Sequence, residues 1–524
     1  MIAVNRVLSM VERYPKAVAL TCNDRQITYE ELGKQIHSAA LFLRDSGIKE
    51  HDRVALILPN LPHFPAFFYA CESIGAVAVM IHPLTVGSKM RLLCDQSRID
   101  LVIMTDILYP KYRNALHGKR IALVDGKDAL PKSIRFFHSF LSFRPSLTTT
   151  RYRYQAPQGS LERMDDPQEF ILFSSGTQGL NKGIRLRHDT LDALCDQLST
   201  IIDPVPTQDS MFAILPFFHG FGLGISMHTV LALGGRCILV PRLARHTIVP
   251  EFLKEKPTYV AAVPQLLRLF LNDPRMHTAD LSFVKNVFCG GEATPRKLID
   301  EFNELLRKGK SHAVVQVGYG CTETLTAVCV SDGKSDGCGK AFEGNEIIVV
   351  DEPGNRCATD QPGEILISGP ILMEGYECET DTDPFWMVEG KKFYRSADIG
   401  KIDGKGNLIV LYRKDHLLKI NGYFVDPHEI EDTVLSLPFI KEAIALQDEE
   451  GRLCLIVSAD ETMKAGDLKK EITGPLETLD RWYRPKRILL IHELPKNEMK
   501  KTDRIALKRL INSRPNGLLA EWSL

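Results

Sequence analysis

The 524-residue chain lacks a net charge of consequence, paired cysteines and long apolar runs. Its 65 Lys and Arg face 66 Asp and Glu, a formal net charge of −1. That balance leaves no electrostatic footprint for nucleic acid, so no nucleic-acid partner is expected. The 12 cysteines lie singly between Cys22 and Cys454, with no C-x-x-C pair. A disulfide framework or structural zinc site needs regular clusters. The cysteines therefore read as small buried hydrophobes in a reducing compartment. No apolar run approaches the roughly 18 residues that span a bilayer. The first segment carries Arg6, Glu12 and Arg13 where a signal peptide needs an uncharged core. A cytoplasmic chain without integral membrane contact is expected.

What is present is ordinary for a soluble globular protein: 44% apolar and 25% charged residues. The length suggests roughly two to four domains. Short apolar runs alternate with helical patterns, predicting an α/β fold built from βαβ units. Asp52–Pro59 and Gly75–Ile81 read as buried strands, with a helix over Phe64–Glu72 between them. Residues 1–13 read as an amphipathic helix. Thr294 followed by Pro295 predicts a helix with Thr as N-cap and Pro at its first position. Its apolar face would hold Leu298, Phe302 and Leu305.

Residues 131–154 are basic and aromatic, a mixture that can bind membranes or single strands. Without a helical moment they are expected to form an exposed insertion whose aromatics pack back on the body. Near Asp398–Asp415 the pattern changes: Gly400, Gly404 and Gly406 punctuate short strands. A helix starting at Asp426-Pro427 and strands over Ala443–Leu446 and Leu453–Ser458 follow. The expected organisation is a large N-terminal domain, 1–413, and a small α+β C-terminal domain, 414–524.

The segment from Phe173 to Gly183 offers Ser174, Ser175, Gly176, Thr177, Gly179 and Lys182 directly after the apolar strand Phe170–Phe173. Glycines admit backbone N–H groups, hydroxyls donate and lysine adds charge, so the segment can wrap a polyphosphate. A flexible Gly/Ser turn has the same composition. It is not a Walker A loop, because no Gly-Lys-Ser/Thr occurs.

In sequence context the segment resembles the phosphate loop of the adenylate-forming superfamily, which includes acyl-CoA synthetases, luciferases and peptide-synthetase adenylation domains. Matching motifs follow in order. Leu215–Leu223, with His219, resembles the aromatic–histidine segment. Gly290-Gly291-Glu292 resembles the adenine-side loop, and Gly318–Glu323 the Tyr-Gly-x-Thr-Glu motif. Tyr394–Asp398 is similar to the Thr-Gly-Asp segment. Arg413–Asp415, with Lys419 and Gly422, resembles the hinge, and Leu494–Arg504 the C-terminal lysine motif. The resemblance runs from Thr28–Leu32 onwards.

This resemblance implies ATP-dependent activation of a carboxylic acid, followed by transfer to coenzyme A. The implied cofactor is Mg²⁺, with ATP and CoA as co-substrates. Lys501 would be the catalytic lysine and Glu323 would hold Mg²⁺, an oxygen ligand suiting a hard cation. Tyr319, Gly320 and Thr322 would join the nucleotide site. Asp398 would bind the ribose hydroxyls and Arg413 the same sugar and its phosphate. Asp415 would be the hinge of a mobile lid, Lys419 and Gly422 the thiol-tunnel side, and Phe218, Val263 and Gly318 the acyl pocket.

His219 has no Gly-x-Ser-x-Gly partner for hydrolysis, and His228 is a poor second metal ligand. The family places it between acyl pocket and thiol tunnel. Phe-His, where amino-acid-activating relatives carry Phe-Asp, favours an acid without an α-amine: a fatty or aryl acid. Several residues depart from the family pattern. Gln178 and Asn181 lie in the loop, Ala397 and Tyr412 replace glycines, and Lys500 precedes Lys501. Ala397, Tyr412 and Lys500 motivate one alternative, a non-catalytic nucleotide- or acyl-binding relative; the other is a ligase that loads an acyl-carrier protein, since the resemblance implies that CoA and a carrier approach similar surfaces.

Overall fold

The computed structural model describes residues 3–127, 149–157, 168–174, 182–202, 205–241, 245–378, 383–414, 417–420, 423–459, 465–496, 502–512 and 518–523. It is a mixed α/β protein that divides into two compact units. The first comprises residues 1–348, 366–395 and 405–408; the second comprises 349–365, 396–404 and 409–524.

Two eight-stranded sheets build the first unit. One contains β1 (Val18–Cys22), β2 (Arg25–Thr28), β10 (Ser210–Ala213), β11 (Arg236–Leu239), β12 (Tyr259–Ala262), β13 (Asn286–Cys289), β14 (Val315–Gly320) and β15 (Ala327–Val330). Its order is β15-β14-β13-β12-β10-β11-β1-β2. The six strands from β14 through β1 run parallel. The other contains β3 (Arg53–Ile57), β4 (Val77–Met80), β5 (Leu101–Thr105), β6 (Ile121–Val124), β7 (Thr149–Arg151), β8 (Glu169–Phe173) and β9 (Gly183–Arg187). Its order is Gly375–Tyr376, then β9-β8-β4-β3-β5-β6-β7. Parallel strands such as β4, β6 and β12 are short apolar runs buried on both faces, as parallel sheets require.

Thr28–Leu32 has a structural role. Thr28 and Glu31 form a reciprocal capping box on the helix Tyr29–Asp45. The buried Tyr29 hydroxyl donates to the carbonyls of Leu231 and Gly235. The expected N-terminal helix spans Ala3–Arg13 and docks through polar contacts. Val4 N–H donates to the Glu72 carboxylate (2.8 Å), which lies 3.1 Å from His188 Nδ1. Arg6 meets Asp192 (2.9 Å), and Asp192 lies 3.4 Å from His228. The Tyr69 hydroxyl is 3.1 Å from the other ring nitrogen of His228. His228 thus belongs to an interior network, and among the described residues no three His, Cys, Asp or Glu side chains group to hold a metal.

Most cysteines are buried, and all 12 are free. Burial pushes the Cys454 thiol up to about 11, so it is no nucleophile at neutral pH. Of the basic aromatic stretch, Tyr152 packs edge-on against Phe42 and Phe67 and donates to Ser38. Residues 131–148 lie outside the described residues. Among the described residues no helix is long and apolar enough to cross a membrane.

Two local expectations are corrected. The helix after Thr294 spans Arg296–Lys308 with Pro295 at its N-cap, one residue later than expected. The Thr294 hydroxyl turns back toward Glu292 O and Cys289 Sγ instead of capping. Gly400 does not end a short strand; it lies inside the 12-residue strand Lys391–Ile402. A Cβ there would meet Ile409 O at 2.7 Å, so the neighbouring strand needs the missing side chain.

In the second unit, Ile440–Gln447, Leu453–Ala459, Arg487–Ile491 and Leu518–Ser523 form a four-stranded sheet in that order. Period-2 alternation sends Leu455 and Val457 to one face, against the helices Pro427–Leu435 and Ala465–Leu476. Cys454 and Ile456 face the other way, with Leu507 of the helix Arg504–Asn512.

Candidate active site

In the first sheet, β10 is the switch point: β11 lies on one side and β12 on the other. In an open parallel sheet, ligands bind beyond the strand C-termini at such a point. The segment Leu215–Leu223 leaves β10 there. Asn60, 2% exposed and just beyond β3, fixes it. Its amide nitrogen donates to Ala213 O (2.9 Å) and Leu215 O (2.8 Å), and its oxygen accepts from Phe217 N (3.0 Å). Phe218 and His219 are half-buried beyond this clamp. Phe218 packs at a tilt of 54° against His82, ring centroids 4.4 Å apart, while His82 Nδ1 accepts from Leu84 N–H (2.8 Å).

The adjacent strand ends bring further predicted residues together. Val263 follows β12, Gly290-Gly291-Glu292 follow β13, and Gly318, Tyr319 and Gly320 close β14. A Cβ on Gly290 would lie 2.9 Å from Gly318 O, and the nearest atom to a Cβ on Gly291 would be Val263 Cγ1 at 3.8 Å. At Gly320 a Cβ would fall 1.7 Å from Thr326 O, so only glycine fits.

After β14, Thr322–Thr324 make one 3₁₀ turn, which Leu325 ends at φ 58°, ψ −55°. Thr326 N–H donates to Thr324 O (2.6 Å) across Leu325, a γ-turn of the strained sense. Such strain persists only where surroundings over-determine it, commonly at functional sites. Here Met373 N–H donates to Glu323 O (2.8 Å), and Leu325 is buried against Gly220 and Gly224.

Glu323 is 9% exposed. Its Oε1 accepts from the Tyr376 hydroxyl at 3.0 Å. No other hydrogen bond to this carboxylate is present among the described residues, so Oε2 remains for a hard cation. An oxygen donor fits Mg²⁺. Lys182, at the end of the Phe173–Gly183 segment, approaches the same tyrosine. Ser174 N–H donates to Lys182 O (3.1 Å), closing the base of the segment, and Lys182 Nζ lies 4.7 Å from the Tyr376 ring centroid. Glu377, the next residue, pairs with Arg53 and accepts from Ser97 (2.6 Å), while its N–H donates to Gly183 O (2.8 Å).

In the second unit, Arg413 and Asp398 face each other at 3.9 Å. The Ser396 hydroxyl donates to Ile365 O and accepts from Asp398 N–H (3.0 Å), fixing the backbone before the carboxylate. Ala397 between them has φ +60°. The departure from glycine therefore keeps the left-handed backbone, at a cost of about 1–2 kcal/mol. Ala397→Gly relieves that strain but adds about 0.4–1 kcal/mol of unfolded-state entropy. A net stabilisation of about 1 kcal/mol is expected, read as a raised urea midpoint; a lowered midpoint would refute the strain.

Ser175, Gly176, Thr177, Gln178, Gly179, Asn181, Asp415, Gly422, Lys500 and Lys501 lie outside the described residues. Lys419 lies on the strand Leu418–Ile420. An open cavity of about 490 Å³, lined by Arg187, Asp189, Ser368, Met373, Glu374 and Lys391, contains none of the predicted residues. Sequence reading missed Asn60, His82, Tyr376 and Glu377. None of the four carries a local sequence signal, because their partners lie far away in the chain.

These features define an α/β architecture that gathers the candidate site residues at its strand C-termini, and comparison with known proteins gives its family. The family model described as "AMP-binding enzyme" matches residues 9–377. The chain belongs to that family, and with it to the adenylate-forming superfamily; it is an enzyme of the AMP-forming acid–CoA ligase class. A long-chain-fatty-acid–CoA ligase of Bacillus subtilis (strain 168) is 25% identical, over 93% of this chain and 91% of that protein. The 4-coumarate–CoA ligase CCL1 of Humulus lupulus is 27% identical, over 90% and 86%. The anthranilate CoA ligase AuaEII, solved with anthranoyl-AMP, superposes with TM-score 0.83 at 20% identity, covering 97% of each chain. ATP-bound MatB from Rhodopseudomonas palustris gives 0.81 at 21% identity, over 98% and 100%.

Proposed function

We propose that this chain activates a fatty or aryl carboxylic acid with ATP and transfers the acyl group to coenzyme A. The substrate carboxylate oxygen attacks the α-phosphorus; the bond to the β-phosphate breaks and pyrophosphate leaves. The CoA sulfur then attacks the acyl carbon, losing its proton to solvent, and AMP departs. The observation that carries this reading is the meeting of Lys182 and Glu323 on one side chain, Tyr376. A cation for the triphosphate and a carboxylate for a metal are what joining two anions demands.

Glu323 would hold Mg²⁺, which when bound neutralises triphosphate charge. Lys501 bridges substrate carboxylate and α-phosphate. Ser174, Ser175, Thr177 and the loop glycines cradle the phosphates. Gly290, Gly291, Glu292, Tyr319, Gly320 and Thr322 form the adenine side, and Asp398 with Arg413 holds the ribose. Phe218, Val263 and Gly318 line the acid pocket, where His219 separates acid from thiol. Residues 414–524 act as a lid turning at Asp415, bringing Lys419 and Gly422 to the thiol for the second step. The protein acts in the cytoplasm.

An acid panel scored for pyrophosphate release tests the first step. Release dependent on fatty or aryl acid is expected, with acyl-CoA forming once CoA is added. ATP binding without acid-dependent release would leave a non-catalytic relative. Loading of carrier phosphopantetheine to the exclusion of CoA would move the acceptor to a carrier protein.

A further inference from the structure

Tyr376 stands on the two-residue strand Gly375–Tyr376, paired with Arg185 and Ile184 of β9. Its phenol has one proton, and that proton goes to Glu323 Oε1. The Tyr376 hydroxyl is therefore committed to the Glu323 carboxylate. The ring face of Tyr376 receives Lys182 from the other side of the site. Its backbone is held by Glu377, pinned by Arg53, Ser97 and Gly183.

We propose that Tyr376 is a positioning residue that orients the Glu323 carboxylate toward Mg²⁺ with its hydroxyl and seats Lys182 for the triphosphate with its ring. This rests on Glu323 being the metal-holding carboxylate. Partners behind a metal ligand fix its orientation and basicity, and removing one lowers metal affinity about 10- to 100-fold. One side chain thereby couples the two cations that face the triphosphate, and its two functions are separable because one resides in the hydroxyl and the other in the ring.

The test uses the full chain, with Mn²⁺ as the metal probe, a non-hydrolysable ATP analogue and free Mn²⁺ read by electron paramagnetic resonance. Tyr376→Phe keeps the ring and is expected to weaken Mn²⁺ binding about 10-fold or more. Metal-free analogue affinity should stay within about twofold, because the Lys182 contact survives. Tyr376→Leu should lose both, metal-free affinity falling a further two- to fivefold or so. The urea midpoint of each variant, read alongside, separates lost metal binding from a lost fold. Wild-type Mn²⁺ affinity in Tyr376→Phe, while Glu323→Gln lowers it, would overturn the role of Tyr376. Wild-type affinity in Glu323→Gln would overturn the assignment of the metal to Glu323, a separate failure.

Discussion

Glu323→Gln lowers acid-dependent pyrophosphate release by an expected 10²- to 10³-fold or so, the loss typical of removing one preorganised electrostatic group from a transition state. Glutamine keeps the size and one carbonyl oxygen, so Tyr376 still has an acceptor and the fold is expected to survive. What disappears is the negative charge, in a position only 9% exposed, where water screens little. Lys501→Ala is expected to slow adenylation to a similar degree while leaving Mn²⁺ affinity untouched, because it acts on the reacting anions. The pair of variants, measured by pyrophosphate release and Mn²⁺ titration, separates metal holding from anion bridging. A rate loss of less than about fivefold in Glu323→Gln would sink the assignment.

Gly220→Ala is expected to destabilise the protein by about 3 kcal/mol or more, or to prevent soluble expression. A Cβ at this position would sit 1.7 Å from Leu325 O and 2.8 Å from Leu325 C, both backbone atoms. Leu325 cannot retreat easily. It occupies φ 58°, its own N–H is bonded to Thr322 O, and a γ-turn closes over it. Gly224→Ala makes the control, since its Cβ would first meet Leu194 Cδ2, the end of a side chain able to rotate. That variant should cost about 1 kcal/mol. Equal urea midpoints for the two would show that the Leu325 carbonyl yields.

The contrast between Gly220 and Tyr376 shows what a sequence exposes. Strands such as Arg53–Ile57 and Val77–Met80 were legible because a doubly buried strand is apolar throughout. The helix after Thr294 was legible from its apolar face, though its start was one residue off because the threonine found other partners. Motif residues such as Glu323 and Asp398 stood out through their neighbours in the chain. Tyr376 did not, since its partner lies 53 positions away and no periodicity links them. Asn60 was further out of reach, holding carbonyls 153 and 155 positions on. His82 carried no signal in the sequence, because only the fold sets Phe218 against it. Ala397 was visible as a missing glycine, but the sequence could not say that the backbone would keep the left-handed turn anyway.

The Asn60 clamp also bears on recombination between relatives. One amide beyond the strand Arg53–Ile57 serves three main-chain groups of the segment that carries Phe218 and His219. A crossover between positions 60 and 213 would take the amide from one parent and the carbonyls from another. Grafting the acid-facing segment alone therefore leaves its anchor behind. Exchanges that preserve both halves of the clamp in one inheritance block should outlive those that split it.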